Sequence, residues 1–317
     1  GPHSRVVEVA SNDGYLLRHF VAMGIPCLGI EPAANVAAEA RMAGVPTEVA
    51  FFGRETAQRI RDRDGPADLI AANNVFAHVP DLNDFAAGFA ALLAPGGTLT
   101  IEFPHLLNLL RALQFDTIYH EHYCYFSLAA AERVLAAQGL VVFDVEELPT
   151  HGGSLRLHVA HAAAGRVPGP GLAAVRAKEA AAGLDTDAPY VGFTAACEAV
   201  RDGLLAFLDA MRAEGRRVAA YGAAAKGNTL LNYCGITAGD GRIGFVVDRA
   251  PSKQGRYLPG SHVPILAPDA IFSERPDIVL ILPWNLRREI AADLAGISAW
   301  GGRFAVAIPR LEVFDPA

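Results

Sequence analysis

Short apolar runs alternate with amphipathic stretches in two successive series along this chain. That βα rhythm confines each series to a mostly parallel sheet with helices on its faces. In the first series, residues 5–10 (RVVEVA), 27–30, 68–72 (DLIAA) and 98–103 read as strands, and 15–23, 33–42 and 82–93 as helices, with Gly, Pro or Asp at each handover. Residues 129–138 read as a further helix, and 140–145 and 153–161 as late strands closing the sheet. An Ala, Gly and Pro-rich passage follows (AAAGRVPGPG), leading into a helical stretch rich in Ala, Glu and Arg. The rhythm then restarts at 217–221 (RVAAY), with strands at 243–247, 278–282 and 304–308 and helices from Lys226 and Leu286. At 317 residues the chain exceeds one ordinary core. The expected organisation is a Rossmann-like α/β domain at 1–165, a helical linker at 166–214, and a second, smaller Rossmann-like α/β domain at 215–317.

Composition narrows the partners. Hydrophobic residues make up 52% and charged residues 19%, which describes a packed protein rather than a disordered one. The formal charge of -7 and the lack of any Lys or Arg run argue against nucleic acid or an anionic membrane, so the expected partner is a small molecule. Cys27, Cys124, Cys197 and Cys234 show no paired spacing for zinc or redox work and read as reduced thiols. With no apolar run near the ~20 residues of a membrane span and no leader pattern, a cytoplasmic location is expected.

Chemistry concentrates first in the loop after strand one, which in doubly wound sheets lies nearest the ligand. Here it is Ser11-Asn12-Asp13-Gly14. Its glycine admits close backbone approach, and Glu8 and Asp13 suit an ammonium group better than a pyrophosphate, favouring S-adenosylmethionine over NAD. Glu31, ending the second strand, is placed to take ribose hydroxyls. Asn73 and Asn74 end the strand that leads to Val75-Phe76-Ala77-His78, and Pro95-Gly96-Gly97 reads as a turn. The ordered set resembles class I methyltransferases, although their G-x-G core is missing. Taken singly, each motif reads equally well as a helix cap or a turn.

The densest cluster is Phe115 to Ser127 (FDTIYHEHYCYFS). Two histidines around a glutamate invite a metal reading, but the spacing is not the helical H-E-x-x-H that presents both imidazoles together, and no metal is expected. With SNDG at Ser11, NNVFAHVPD at Asn73, FDTIYHEHYCYFSL at Phe115, HGGSLR at His151 and YGAAAKGNTLLNY at Tyr221, the chain resembles the nucleotide-sugar C-methyltransferases. These methylate C3 of a thymidine diphosphate (TDP)-linked 4-keto-dideoxyhexose in antibiotic sugar pathways. The resemblance implies His122 as the base that removes a proton beside the ketone. It further implies Glu121 as the group orienting that site, Tyr119 as a sugar contact and His78 as support for the enolate. His151, Ser154 and Arg156 would line the sugar end. The family's N-terminal zinc domain has no counterpart in these residues, so zinc is expected only from a domain upstream of Gly1, which would also supply part of the active-site wall, or from another chain.

In the second series, Tyr221 to Thr229 follows a strand and opens a helix, offering backbone N–H groups and a lysine to a diphosphate. It matches neither a P-loop nor G-x-G-x-x-G. Lys226 and Asn228 are the candidate phosphate contacts. Lys253, Trp284 and Asn285, at later strand ends, complete a nucleotide pocket, with packing the blander role for Trp284. The duplicated rhythm places the expected substrate between the domains. Two other functions are weighed: a nicotinamide-dependent nucleotide-sugar oxidoreductase, and a catalytically impaired nucleotide-sugar-binding scaffold. The first lacks its glycine loop, and the second is disfavoured by the intact Tyr119, Glu121 and His122.

Overall fold

A computed structural model describes residues 1–316. Two compact units divide the chain: Gly1–Leu107 with Glu121–Thr186, and Asn108–His120 with the residues from Asp187 onward.

The first unit is built on seven strands: β1 (Val6–Val9), β2 (Cys27–Ile30), β3 (Thr47–Glu48), β4 (Ala67–Asn73), β5 (Leu93–Pro104), β6 (Leu140–Leu148) and β7 (Ser154–His161). Their order is β3-β2-β1-β4-β5-β7-β6. The first five are parallel, and β7 runs antiparallel to both β5 and β6. This is the class I methyltransferase arrangement of a Rossmann-like sheet. Helices α1 (Leu17–Ala22), α2 (Ala34–Met42), α3 (Arg54–Asp64) and α4 (Leu82–Leu92) connect the parallel strands, and α5 (Leu106–Arg111), α6 (Leu128–Ala136) and α7 (Pro170–Ala182) follow. All four residues of β1 are buried, because a parallel strand is covered on both faces. Phe76, Phe89 and Phe103 anchor the core at full burial.

Two local readings change. Pro95-Gly96-Gly97 lies inside β5, where the register passes from Ala67↔Leu93 to Leu69↔Thr98 and the extra residues form a bulge. Gly97 is required there, since a Cβ would lie 2.9 Å from Ala67 O. The strand β3 escaped the sequence reading because two residues carry no periodicity, and helix α3 (RETAQRIRDRD) because it is mostly charged and buries only Ala57 and Ile60.

The stretch 166–214 holds two packed helices. Helix α7 lies on β6 of the first unit, whereas α8 (Phe193–Ala213) buries Cys197, Val200, Leu204 and Leu208 in the core of the second. Their spacing marks one helix face.

The second sheet has strands β8 (Val218–Tyr221), β9 (Val246–Val247), β10 (Ile265–Leu266), β11 (Ile278–Ile281), β12 (Arg303–Val306) and β13 (Glu312–Phe314), in the order β10-β9-β8-β11-β12-β13. Only β13 is antiparallel. Helices α9 (Ala225–Tyr233), α10 (Ala270–Glu274) and α11 (Arg287–Asp293) complete this Rossmann-like unit. Among the described residues, no helix is long and apolar enough to cross a membrane.

Candidate active site

The loop leaving β1 is contorted. Ala10, Asn12 and Gly14 have φ of 57°, 54° and 80°, and a Cβ on Gly14 would meet Val45 at 2.9 Å. The contortion turns Asn12 N toward Glu31 Oε2 at 3.0 Å, while Ala33 N reaches Oε1 at 2.9 Å. Two amides therefore fix the Glu31 carboxylate at the tip of β2.

Beneath this loop Glu8 is 1% exposed and its Oε2 has no hydrogen-bond partner. Burial, and then the Asp13 carboxylate, push its pKa up to about 8. Ser11 is equally buried with an unpartnered Oγ, and the Asn74 Oδ1 is another buried orphan, on a residue held at φ 53°. Asn73, the last residue of β4, pairs with Glu102 of β5. Tyr15 joins the group: burial, then Glu8, Glu102 and Asp13, raise its phenol. A cavity of about 210 Å³ adjoins these groups, lined by Val9, Ile30, Phe51, Val75, His78 and Pro80 among others.

Orphaned buried acceptors beside an apolar slot want a ligand with a cationic end and a flat apolar end. A pyrophosphate would instead meet the carboxylates of Asp13 and Glu31 with like charge and would gain nothing from Glu8, which a cation can ionise. The donor set fits S-adenosylmethionine: Glu8, Ser11, Asp13 and Asn74 at the amino acid end, Glu31 at the ribose, and the slot at the base. Phe51, 82% exposed, was missed by sequence reasoning because a single aromatic in a loop carries no pattern.

The histidines lie at the adjoining strand end. Beyond β4 a single turn, Phe76–His78, carries His78. The segment after His120 docks on that turn, with Tyr123 N and Cys124 N both donating to Ala77 O, at 2.9 and 3.2 Å. Phe126 then stacks on Phe76 at 4.7 Å. The result is an edge-to-face pair of imidazoles, His78 and His122, with centroids 4.7 Å apart, and Tyr125 lies 5.9 Å from His122. Burial and then His122 lower the pKa of His78, outweighing Glu121, so His78 is neutral near neutrality.

The division between the units falls within the cluster: Tyr119 and His120 belong to the second, Glu121 and His122 to the first. The far end of the segment is pinned by a buried carboxylate. Glu179 of α7 meets His105 Nε2 at 2.8 Å and accepts Leu128 N and Ala129 N, satisfying the first turn of α6. Burial opposes the charge of Glu179, but those three contacts together lower its pKa.

The HGGSLR block makes a tight left-handed passage, with His151, Gly152 and Gly153 at φ of 54°, 91° and 114°. His151 is exposed and contributes electrostatically at His78. Ser154 and Arg156, expected on the sugar, are engaged within the protein. The Ser154 hydroxyl donates to Thr150 O at 3.1 Å, and Arg156 pairs with Glu102 at 2.9 Å and with Glu146 at 3.5 Å. Thr150 donates to the same Glu102.

In the second unit the candidates separate into two groups. Trp284 donates its indole N–H to Asp116 Oδ2 at 2.8 Å, and Lys226 lies 4.9 Å above the indole, 3.4 Å from Asn285 Oδ1. Asp116 is fully buried, its Oδ1 unpartnered, and burial pushes it to about 6 against Trp284 and Lys226. Burial also lowers Lys226. The indole N–H of Trp284 is thus taken by Asp116. Asn228 and Lys253 instead line a cavity with Ala224 and Ala225 at the start of α9.

Comparison with known proteins decides the family. Residues 149–309 match the C-methyltransferase C-terminal domain and residues 1–145 a methyltransferase domain. The C-methyltransferase NovU of Streptomyces niveus is 39% identical over 310 residues, 98% of this chain and 73% of that protein. The chain belongs to the C-methyltransferase family. The chain is an S-adenosylmethionine-dependent methyltransferase, consistent with the acidic pocket at the β1 and β2 tips. The ubiquinone biosynthesis O-methyltransferase of Rhodopseudomonas palustris strain BisB18 is 27% identical over 97 residues, 31% of this chain and 38% of that one. Among solved structures, an S-adenosylmethionine dependent methyltransferase from Mesorhizobium loti covers 49% of this chain and 89% of its own, with 15% identity and a TM-score of 0.40.

Proposed function

We propose that this C-methyltransferase acts in the cytoplasm on a TDP-linked 4-keto-dideoxyhexose, adding a methyl group at C3 in the biosynthesis of a deoxysugar for an antibiotic. The observation that carries the reading is the His78 and His122 pair at the tip of β4, beside the acidic cofactor loop. Carbon methylation needs a carbanion equivalent, so a proton must leave the carbon next to the ketone. His122 is the base, since an imidazole is suited to proton transfer near neutrality. Neutral His78 is an uncharged donor toward the developing enolate oxygen, where preorganised hydrogen bonds count most. Glu121 orients the site and Tyr119 holds the sugar. S-adenosylmethionine, when bound, supplies the electrophilic methyl group that the enolate carbon takes up.

The test is incubation with S-adenosylmethionine and a TDP-4-keto-dideoxyhexose, with products followed by mass spectrometry for wild type and His122→Asn. A methyl-sized mass gain that vanishes in the variant is expected. An equal gain in both removes His122 as the base, and transfer to oxygen or to an unlinked sugar refutes the substrate.

A further inference from the structure

Glu102 ties together three parts of the first unit at one strand end. It is the residue of β5 that faces Asn73 of β4 on one side and Arg156 of β7 on the other. Its carbonyl accepts Asn74 N at 2.8 Å, where the chain leaves β4 for the turn that carries His78. Its carboxylate is buried, and both oxygens are taken: Oε2 accepts Arg156 and Oε1 accepts the Thr150 hydroxyl, each at 2.9 Å. The Tyr15 phenol, beside the cofactor loop, also feels its charge.

The Arg156 bond is one that cross-strand neighbours make, and Glu146, opposite Arg156 on β6, repeats it at 3.5 Å. The Thr150 bond has no such explanation. Thr150 opens the turn ahead of β7, and its carbonyl already accepts Gly153 N at 2.8 Å and the Ser154 hydroxyl at 3.1 Å. The hydroxyl on Glu102 ties the start of that turn to β5, and His105 N ties its end by donating to Gly153 O at 3.0 Å. Between those ties stands His151, at φ 54°. A residue with a side chain keeps a left-handed backbone only where its surroundings hold it, and such residues gather at functional sites. What this turn presents is an imidazole. After burial, the groups that bear on the charge of His78 are His122, Glu121 and His151. Glu102 is not among them, so its influence on His78 passes through the turn.

We propose that Glu102 is a positioning residue for methyl transfer, holding through Thr150 the turn that keeps the His151 imidazole within electrostatic reach of His78. There His151 disfavours a further positive charge at the strand tip and so keeps His78 an uncharged donor. The use of that donor rests on the enolate chemistry proposed for this site; the placement of His151 does not.

NMR titration of the ligand-free full chain carrying isotope-labelled histidine, with the His78 signal identified by its loss in His78→Asn, reads the placement without a substrate. Thr150 is exposed, so Thr150→Val removes the hydroxyl at little cost to the fold, and His151→Asn keeps the turn because asparagine tolerates the left-handed region. Each should raise the pKa of His78, and the double variant should move it no further than His151→Asn alone. Thr150→Ser should restore the wild-type titration, and Glu102→Met should match Thr150→Val. S-adenosylhomocysteine affinity should be the same in all the Thr150 and His151 variants. With S-adenosylmethionine and a TDP-4-keto-dideoxyhexose, Thr150→Val should lower kcat by about tenfold or more and move its acid limb to higher pH, with Thr150→Ser recovering both. A His78 titration that ignores Thr150→Val, or shifts from Thr150→Val and His151→Asn that add, would overturn the placement and leave C-methylation standing. The expected shifts with an unchanged kcat profile would overturn the catalytic part of the proposal. The expected shifts without any turnover of the sugar would instead remove the substrate reading and leave the placement.

Discussion

Glu8 gives the sharpest quantitative expectation, because one buried carboxyl couples stability to cofactor binding. Its pKa is raised from 4.5 to about 8 by burial and by Asp13. The folded chain therefore holds this proton more tightly than the unfolded chain does, and stability falls as pH rises through that interval, levelling only above it. Integrating the difference gives a cost of roughly 2 kcal/mol at about pH 6 and roughly 4 kcal/mol at about pH 8. Glu8→Gln keeps the shape and removes the titration, so the ligand-free variant should be more stable than wild type, with a gap that widens by about 2 kcal/mol between those two pH values. Urea unfolding followed by far-UV circular dichroism measures this. Tryptophan emission does not, since Trp284 and Trp300 both lie in the second unit. The same substitution should weaken S-adenosylhomocysteine by about tenfold or more, because an amide cannot answer an ammonium. In wild type, binding near pH 7 should release roughly 0.9 proton as Glu8 ionises beside its counter-charge, seen by calorimetry in buffers of different ionisation enthalpy. A stability gap that stays flat with pH, or binding without proton release, would refute this account of the acidic pocket.

Three further outcomes are expected. His122→Asn should cut methyl transfer by about 10²-fold to 10⁴-fold while S-adenosylhomocysteine affinity is retained, read by single-turnover product formation. Glu179→Gln should destabilise the first unit by about 1–3 kcal/mol near neutrality, because two amides and His105 lose a charged acceptor. As the folded pKa of Glu179 is lowered, that deficit should be present above its ordinary value and should close as the wild-type carboxylate is protonated in acid, as acid unfolding of the two proteins will show. Trp284→Phe should cost the second unit about 1–3 kcal/mol by leaving the buried Asp116 with neither oxygen partnered, measured through the emission of Trp300.

Much of the fold was legible because parallel strands buried on both faces leave near-continuous apolar runs, and β1, β4 and β11 show them plainly. The antiparallel β7 reads as an ordinary strand, since nothing local in a sequence encodes the direction of a neighbour, and the three-residue β13 is too short to read at all. The 166–214 stretch resisted for a related reason. Its two helices pack on different sheets, and composition reports solubility rather than destination. In the site, chemistry-bearing types were readable and their partners were not. Glu102, which collects Thr150 and Arg156, looks like one more strand residue until β7 is laid beside β5. Asp116 and Trp284 meet across 168 positions, and no motif spans that distance.

The pairing of Asp116 with Trp284 also changes what the FDTIYHEH block is for. Read as a string, it is one catalytic cassette, and every polar residue in it is a candidate for contact with the substrate. In the structure its first half is architectural. Phe115 packs 5.0 Å from Tyr233 in the core of the second unit, Asp116 takes the indole N–H, and Thr117 donates to Gln114 O at 2.7 Å. Its second half is tied by Tyr123 and Cys124 to the His78 turn of the first unit. Within the block, Tyr119 and His120 belong to the second unit, and Glu121 and His122 to the first. It follows that substitutions at Asp116 and Phe115 should act on methyl transfer through the placement of Tyr119. Their signature should be a raised KM for the sugar nucleotide, with S-adenosylhomocysteine affinity unchanged. A fall in kcat alone would mean that the first half of the block takes part in the chemistry after all.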